Sequence, residues 1–137
     1  MAGFDHFLAA QAAIYDEALG QLRAGAKRSH WMWFIFPQLA GLGHSAMAQR
    51  FALANQAEAA AYLAHPVLGS RLIACTEAVL PYAGRRPVSQ IFGYPDDLKF
   101  CSSMTLFAKA APDTAVFQQA LDGFFDGRED AETLRRL

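Results

Sequence analysis

Two stretches of the chain hold the side chains able to do chemistry. Residues 27–38 read KRSHWMWFIFPQ and contain both tryptophans. His30 is the candidate for proton transfer, because an imidazole titrates near neutral pH and serves as acid or base. Trp31 and Trp33 beside it would exclude water and so strengthen any electrostatic contact there. Residues 93–107 read GYPDDLKFCSSMTLF. At about 100° per residue, Phe100, Met104 and Phe107 share one helical face, and Asp96, Lys99 and Ser103 flank it. Lys99 is placed to pair with an anionic group, with Ser102 and Ser103 as hydroxyl partners. Lys27 adds a second cation and Gln38 an amide. Aromatic walls with a few placed polar groups are what a small-molecule pocket needs.

The same residue types also build a tightly packed core with satisfied polar groups, so two readings stand side by side. In the first, a small polar or anionic ligand, nucleotide-like in chemistry, sits between the two stretches. An enzymatic version makes His30 the proton-transfer group and Lys99 the stabiliser of developing negative charge, in a hydrolase or transferase. In the second, the chain is a non-catalytic interaction or structural module. Asp96 and Lys99 then form a structural pair at i,i+3, and His30 bonds to the backbone.

Other chemistries lack a pattern. The four histidines have no HxxxH or HExxH spacing, and Cys75 and Cys101 are far apart with no CxxC. No metal site and no cofactor are expected. The loop PQLAGLG at 37–43 is not a phosphate loop, and no GxSxG elbow occurs. Its glycines allow close backbone approach or positive φ. The net charge of −1 argues against nucleic acid as a partner. The cluster Arg23, Lys27, Arg28 and the pair Arg85–Arg86 read as solvated surface that could hold an anion. The chain start shows no basic stretch followed by an apolar run, and no apolar run approaches the ~20 residues that span a bilayer. Isolated cysteines in apolar contexts suit reduced, buried thiols and a cytoplasmic setting. An apolar fraction of 53% permits a homodimer without requiring one, so monomer and homodimer both stay open.

The elements that would position these groups are helical. The expected fold class is all-α, a single compact orthogonal bundle of about six to eight helices in one domain over residues 1–137. A long amphipathic helix is expected over 4–24, stopped at Gly25. Residues 31–36 are too uniformly apolar for their period to separate a short buried helix from a strand, and with Ser29 able to cap it a two-turn helix is the favoured expectation. Ser45 caps 46–53. Asn55 caps 56–64, with Glu58 three residues later as in a capping box. Pro66 starts a helix reaching about residue 80. A single turn follows at 88–92. Pro95, Asp96 and Asp97 suit the start of a helix running to about residue 110. The last two helices are 115–125, stopped at Gly127, and a short one after Asp130.

The run KRSHWMWFIFPQLAGLG at 27–43 resembles the signature of the DUF1810 family of small bacterial and fungal proteins. FGYPDDLKFCSSMTLF at 92–107 resembles that family's second signature, and AYLAHPVLG at 61–69 and FFDG at 124–127 also fit. The resemblance covers nearly the whole chain. It implies a mostly helical fold and carries no assigned activity. Members of the family sometimes bear the label "calpastatin", but protease-inhibitor repeats of that kind are charged and disordered, unlike this apolar chain without repeats.

Overall fold

The computed structural model describes residues 3–137. Its ten α-helices are α1 (Asp5–Ala12), α2 (Tyr15–Arg23), α3 (Met32–Ile35), α4 (Ala46–Arg50), α5 (Gln56–Ala64), α6 (Leu68–Val79), α7 (Val88–Phe92), α8 (Asp96–Ala110), α9 (Ala115–Phe125) and α10 (Ala131–Arg136). Six of them run eight residues or longer. The other four are short connectors, which is why the count exceeds the six to eight expected. Among the described residues there is no strand, only one parallel bridge between Leu39 and Leu53.

Helix α8 is central and packs against α5, α7, α9 and α10. Seven consecutive or near-consecutive residues of it are buried, including Ser102 and Ser103. The aspartates Asp96 and Asp97 open it, where negative charge meets the positive end of the helix dipole.

The helix expected over 4–24 is broken. Ile14 donates its N–H back only three residues, to Gln11, and α2 starts afresh at Tyr15. The break lets α1 pack on α3 and α2 on α6, two directions that one straight rod could not serve.

The helix at the first signature is one turn rather than two. It starts at Met32, with Trp31 before it in a non-helical conformation. Ser29 does not cap it; its hydroxyl goes to Glu17 instead. Phe36, preceding Pro37, leaves the helical region at φ −123° and ψ 77°, as a residue before proline tends to do.

Several caps form as expected. Ser45 accepts from the Ala48 N–H, and Asn55 accepts from Glu58 at 2.9 Å. Glu58 reaches back to the Ala54 N–H rather than to Asn55 itself. Helix α4 ends at Arg50, short of residue 53, because Leu53 exchanges backbone bonds with Gln38 and Ala40. Ahead of α6, His65 Nδ1 accepts from the Val67 and Leu68 N–H groups. Asp126 adopts a left-handed conformation after α9, and Gly127 follows with φ 77°, bonding its N–H to the Leu121 carbonyl.

Aromatic rings tie the two signatures together. Phe36 meets Phe100 edge-on at 5.0 Å and Phe92 at 5.8 Å, and Phe92 stacks on Phe100 at 4.5 Å. Such pairs contribute on the order of 0.5–1.5 kcal/mol beyond the area they bury.

Candidate functional site

Asp96, at the first turn of α8, is held between two lysines. One carboxylate oxygen lies 2.9 Å from Lys27 Nζ and the other 3.5 Å from Lys99 Nζ. Lys27 is nearly covered, its side chain 8% exposed, and its ammonium lies 5.1 Å from the Trp31 ring centroid. Lys99 is more open at 27% and sits 5.5 Å from the Trp33 ring. Two cations share one anion, so this cluster carries an excess positive charge. The longer ion pair and greater exposure place that excess on Lys99.

Sequence reasoning paired Asp96 with Lys99 alone. The Lys27 contact was hidden because 69 positions separate the partners (96 − 27). It forms because the segment after α2 is drawn against the end of α7, where the Lys27 N–H donates to the Ile91 carbonyl at 2.7 Å.

Beside Lys99 lies an open cleft of about 240 Å³. Gln38, Leu42 and Gly43 of the first signature form one side, and Pro95, Leu98, Lys99 and Ser102 of the second form the other; Asp130 and Glu132 close it. The first wall is held by the bridge that pins residues 38–40 to Leu53. At Gly41, with φ 93°, an added Cβ would lie 2.6 Å from the Arg136 guanidinium, so the glycine lets that side chain cover the loop. Of the two acids on the far wall, Glu132 is neutralised by arginines, while Asp130 is hydrogen-bonded but keeps its charge. Asp130 accepts from the N–H and hydroxyl of Thr133, and Glu132 pairs with Arg135 and Arg136.

The sequence-nominated residues thus divide into groups. Gln38, Lys99 and Ser102 line the cleft together. Lys27 stands behind it through Asp96, and Trp33 lies under the Lys99 ammonium. Trp31 is fully buried, with its indole N–H donating to Gln21 Oε1 at 2.9 Å. That glutamine also serves Ser29 and the Arg28 N–H, and Ser29 bonds Glu17, so the polar residues before Trp31 form a brace onto α2. Ser103 is sealed inside, one turn beyond Lys99, and its Oγ has no partner. His30 is exposed and does not line the cleft. Ser102 donates its hydroxyl to the Leu98 carbonyl, leaving the oxygen's acceptor capacity open.

Gly43, one of the loop glycines read as allowing close backbone approach, lines the cleft, and the cleft residues that sequence reasoning missed are Leu42, Pro95, Leu98, Asp130 and Glu132. Asp130 had a visible signal, but as a helix cap. Cys101 lies on the neighbouring side of α8. Burial, then the nearby Asp130 charge, pushes its thiol up to about 11, so it stays protonated at neutral pH. No group of three or more metal-ligating side chains occurs among the described residues.

A family profile described as "Protein of unknown function (DUF1810)" matches residues 1–137. The chain belongs to the DUF1810 family. A crystal structure of the conserved hypothetical protein Rv1873 from Mycobacterium tuberculosis resembles it with a TM-score of 0.94 and 48% identity, covering 97% of this chain and 94% of that one. The helical architecture of this DUF1810 chain is therefore shared with an experimentally determined fold. No curated protein matches the chain. No helix among the described residues is long and apolar enough to cross a membrane.

Proposed function

We propose that the cleft between the two signatures binds a small molecule through an anionic group. Lys99 supplies the charge, Gln38 and Ser102 hydrogen-bond the ligand, and Leu42 and Leu98 contact its apolar part. The observation that carries the reading is the Asp96 carboxylate shared by two lysines, which leaves the more exposed one under-neutralised at the cleft wall. Trp33 beneath the Lys99 ammonium restricts it further, since a cation over an indole face is held by the ring quadrupole. A phosphate or carboxylate bound here pairs with Lys99, and the pairing strengthens to the extent that the ligand displaces water from the open cleft.

Binding is the part of the reading taken forward, since His30, the proton-transfer candidate, does not line the cleft. A second reading, docking of a protein partner, draws on Leu98 and Tyr94, which stand 53% and 81% exposed at this edge of α8.

The test is a titration with phosphomonoesters and their neutral parents (AMP against adenosine, glucose 6-phosphate against glucose), read by amide chemical shifts. Saturable shifts at Gly43, Lys99 and Ser102 with the charged member of a pair are expected. Lys99→Met should weaken that binding tenfold or more while changing stability little, because a partly exposed pair of this kind contributes about 0–1 kcal/mol. Equal binding by Lys99→Met and the parent protein would refute the reading. Shifts confined to Tyr94 and Leu98 on adding a protein partner would favour docking instead.

A further inference from the structure

The segments 23–28 and 82–91 also come together. Tyr82 Oη donates to the Arg23 carbonyl at 2.7 Å, Arg86 Nη1 donates to the Gly25 carbonyl at 2.7 Å, and the Lys27 N–H donates to the Ile91 carbonyl. These two segments contain five cationic residues, Arg23, Lys27, Arg28, Arg85 and Arg86, and no acidic one. Only Lys27 has a carboxylate within ion-pair distance among the described residues. In a chain of net charge −1 this is a strong local excess.

A cleft of about 300 Å³ opens in this region, lined by Gly84, Arg85, Arg86, Pro87, Val88, Gly123 and Phe124. Its geometry is fixed from both sides. Gly123 of α9 lets the 83–84 turn approach, since an added Cβ there would lie 2.7 Å from the Ala83 Cβ. Phe124 is anchored edge-on against Phe100. Arg86 is half-buried, its guanidinium over the Tyr82 ring at 5.1 Å and one nitrogen spent on the carbonyls that end α2. A guanidinium has five N–H donors in a rigid fork, so Arg86 retains donors for a ligand. Arg85 beside it is exposed and has no carboxylate partner.

We propose that this cleft is a second ligand site, taking a phosphate group carried by a small molecule, independently of the Lys99 cleft. Two adjacent guanidinium groups without carboxylates give paired, charge-assisted hydrogen bonds to a tetrahedral oxyanion. Phe124 and Val88 accept an apolar portion of the same molecule. The limited volume favours a compact ligand over a polymer, and Arg23 and Arg28 add to the field that draws an anion in.

The experiment titrates pyrophosphate into the whole protein at constant ionic strength, following backbone amide shifts. Saturable shifts at Gly84, Arg86, Val88 and Gly123 are expected. Arg85→Gln, at an exposed position whose side chain makes no hydrogen bond or ion pair, should leave the melting temperature unchanged and weaken binding at least tenfold. Lys99→Met should bind pyrophosphate here as the parent does, which separates this site from the other cleft. Non-saturable shifts, or an Arg85→Gln protein that binds as tightly as the parent, would overturn the site and leave the arginines as solvated surface. A single-stranded oligonucleotide that displaces pyrophosphate and moves the Arg23 and Arg28 amides without moving Gly123 would also overturn it.

Discussion

Trp31 is buried with its indole N–H satisfied by Gln21, and the same amide oxygen takes the Arg28 N–H. One glutamine on α2 thus holds the start of the first signature. Removing it orphans a buried donor, which costs the desolvation of that group, about 1–3 kcal/mol. Gln21→Leu should lower stability by that amount in urea unfolding without abolishing ligand binding at the Lys99 cleft, because Gln21 does not line it. Two positions later, Trp33 is only partly buried and faces the Lys99 ammonium. Residue type is the same and surroundings differ, so the two tryptophans carry different roles.

At the scale of elements, close approach between helices decides which positions tolerate change. Gly69, in the first turn of α6, is buried, and an added Cβ would sit 1.8 Å from the Leu63 carbonyl oxygen of α5. Alanine is favoured over glycine in a helix by roughly 1 kcal/mol. Overpacking against an immovable backbone atom costs about 1–3 kcal/mol or more. The clash should win, so Gly69→Ala is expected to destabilise by about 2 kcal/mol or more, measured by thermal or urea unfolding. A stabilised variant would mean that α5 and α6 slide apart freely. Between the same two helices, His65 turns its imidazole nitrogen to the Val67 and Leu68 N–H groups. In the sequence it reads only as a histidine near a helix end.

For the molecule as a whole, stability at alkaline pH follows from buried acids. Burial raises the Cys75 thiol from 9.0 to about 12, and it raises the Tyr62 phenol as well. Cys75 loses its proton near its ordinary value in the unfolded chain but only near 12 in the fold. Its contribution is therefore complete below about pH 9 and lost as the pH climbs towards the folded value. Urea midpoints of the parent should fall across that window more steeply than those of Cys75→Ala. Equal slopes would show the thiol to be already ionised or already exposed. Charge is also organised globally: the cationic segments 23–28 and 82–91 meet on one face, while residues 109–137 hold six acids and four cations. The Lys99→Met and Arg85→Gln variants probe two separate consequences of that distribution.

The helical class, the caps at Ser45, Asn55 and Asp130, and the helices at 56–64 and 115–125 were legible in the sequence. They rest on contacts within about one turn, where spacing and side-chain chemistry suffice. The break at Ile14 and the single turn at Met32–Ile35 were not legible, because packing against distant helices overrode local pattern. Of the candidate site, the residue types were visible and the grouping was not. Gln38, Lys99 and Asp130 meet only when α8, the loop after α3 and the start of α10 are assembled. Asp96 acquires its second lysine the same way. Exposure, too, was decided by the tertiary structure: it set His30 on the surface and Ser103 inside, since burial depends on what the rest of the chain places over a side chain.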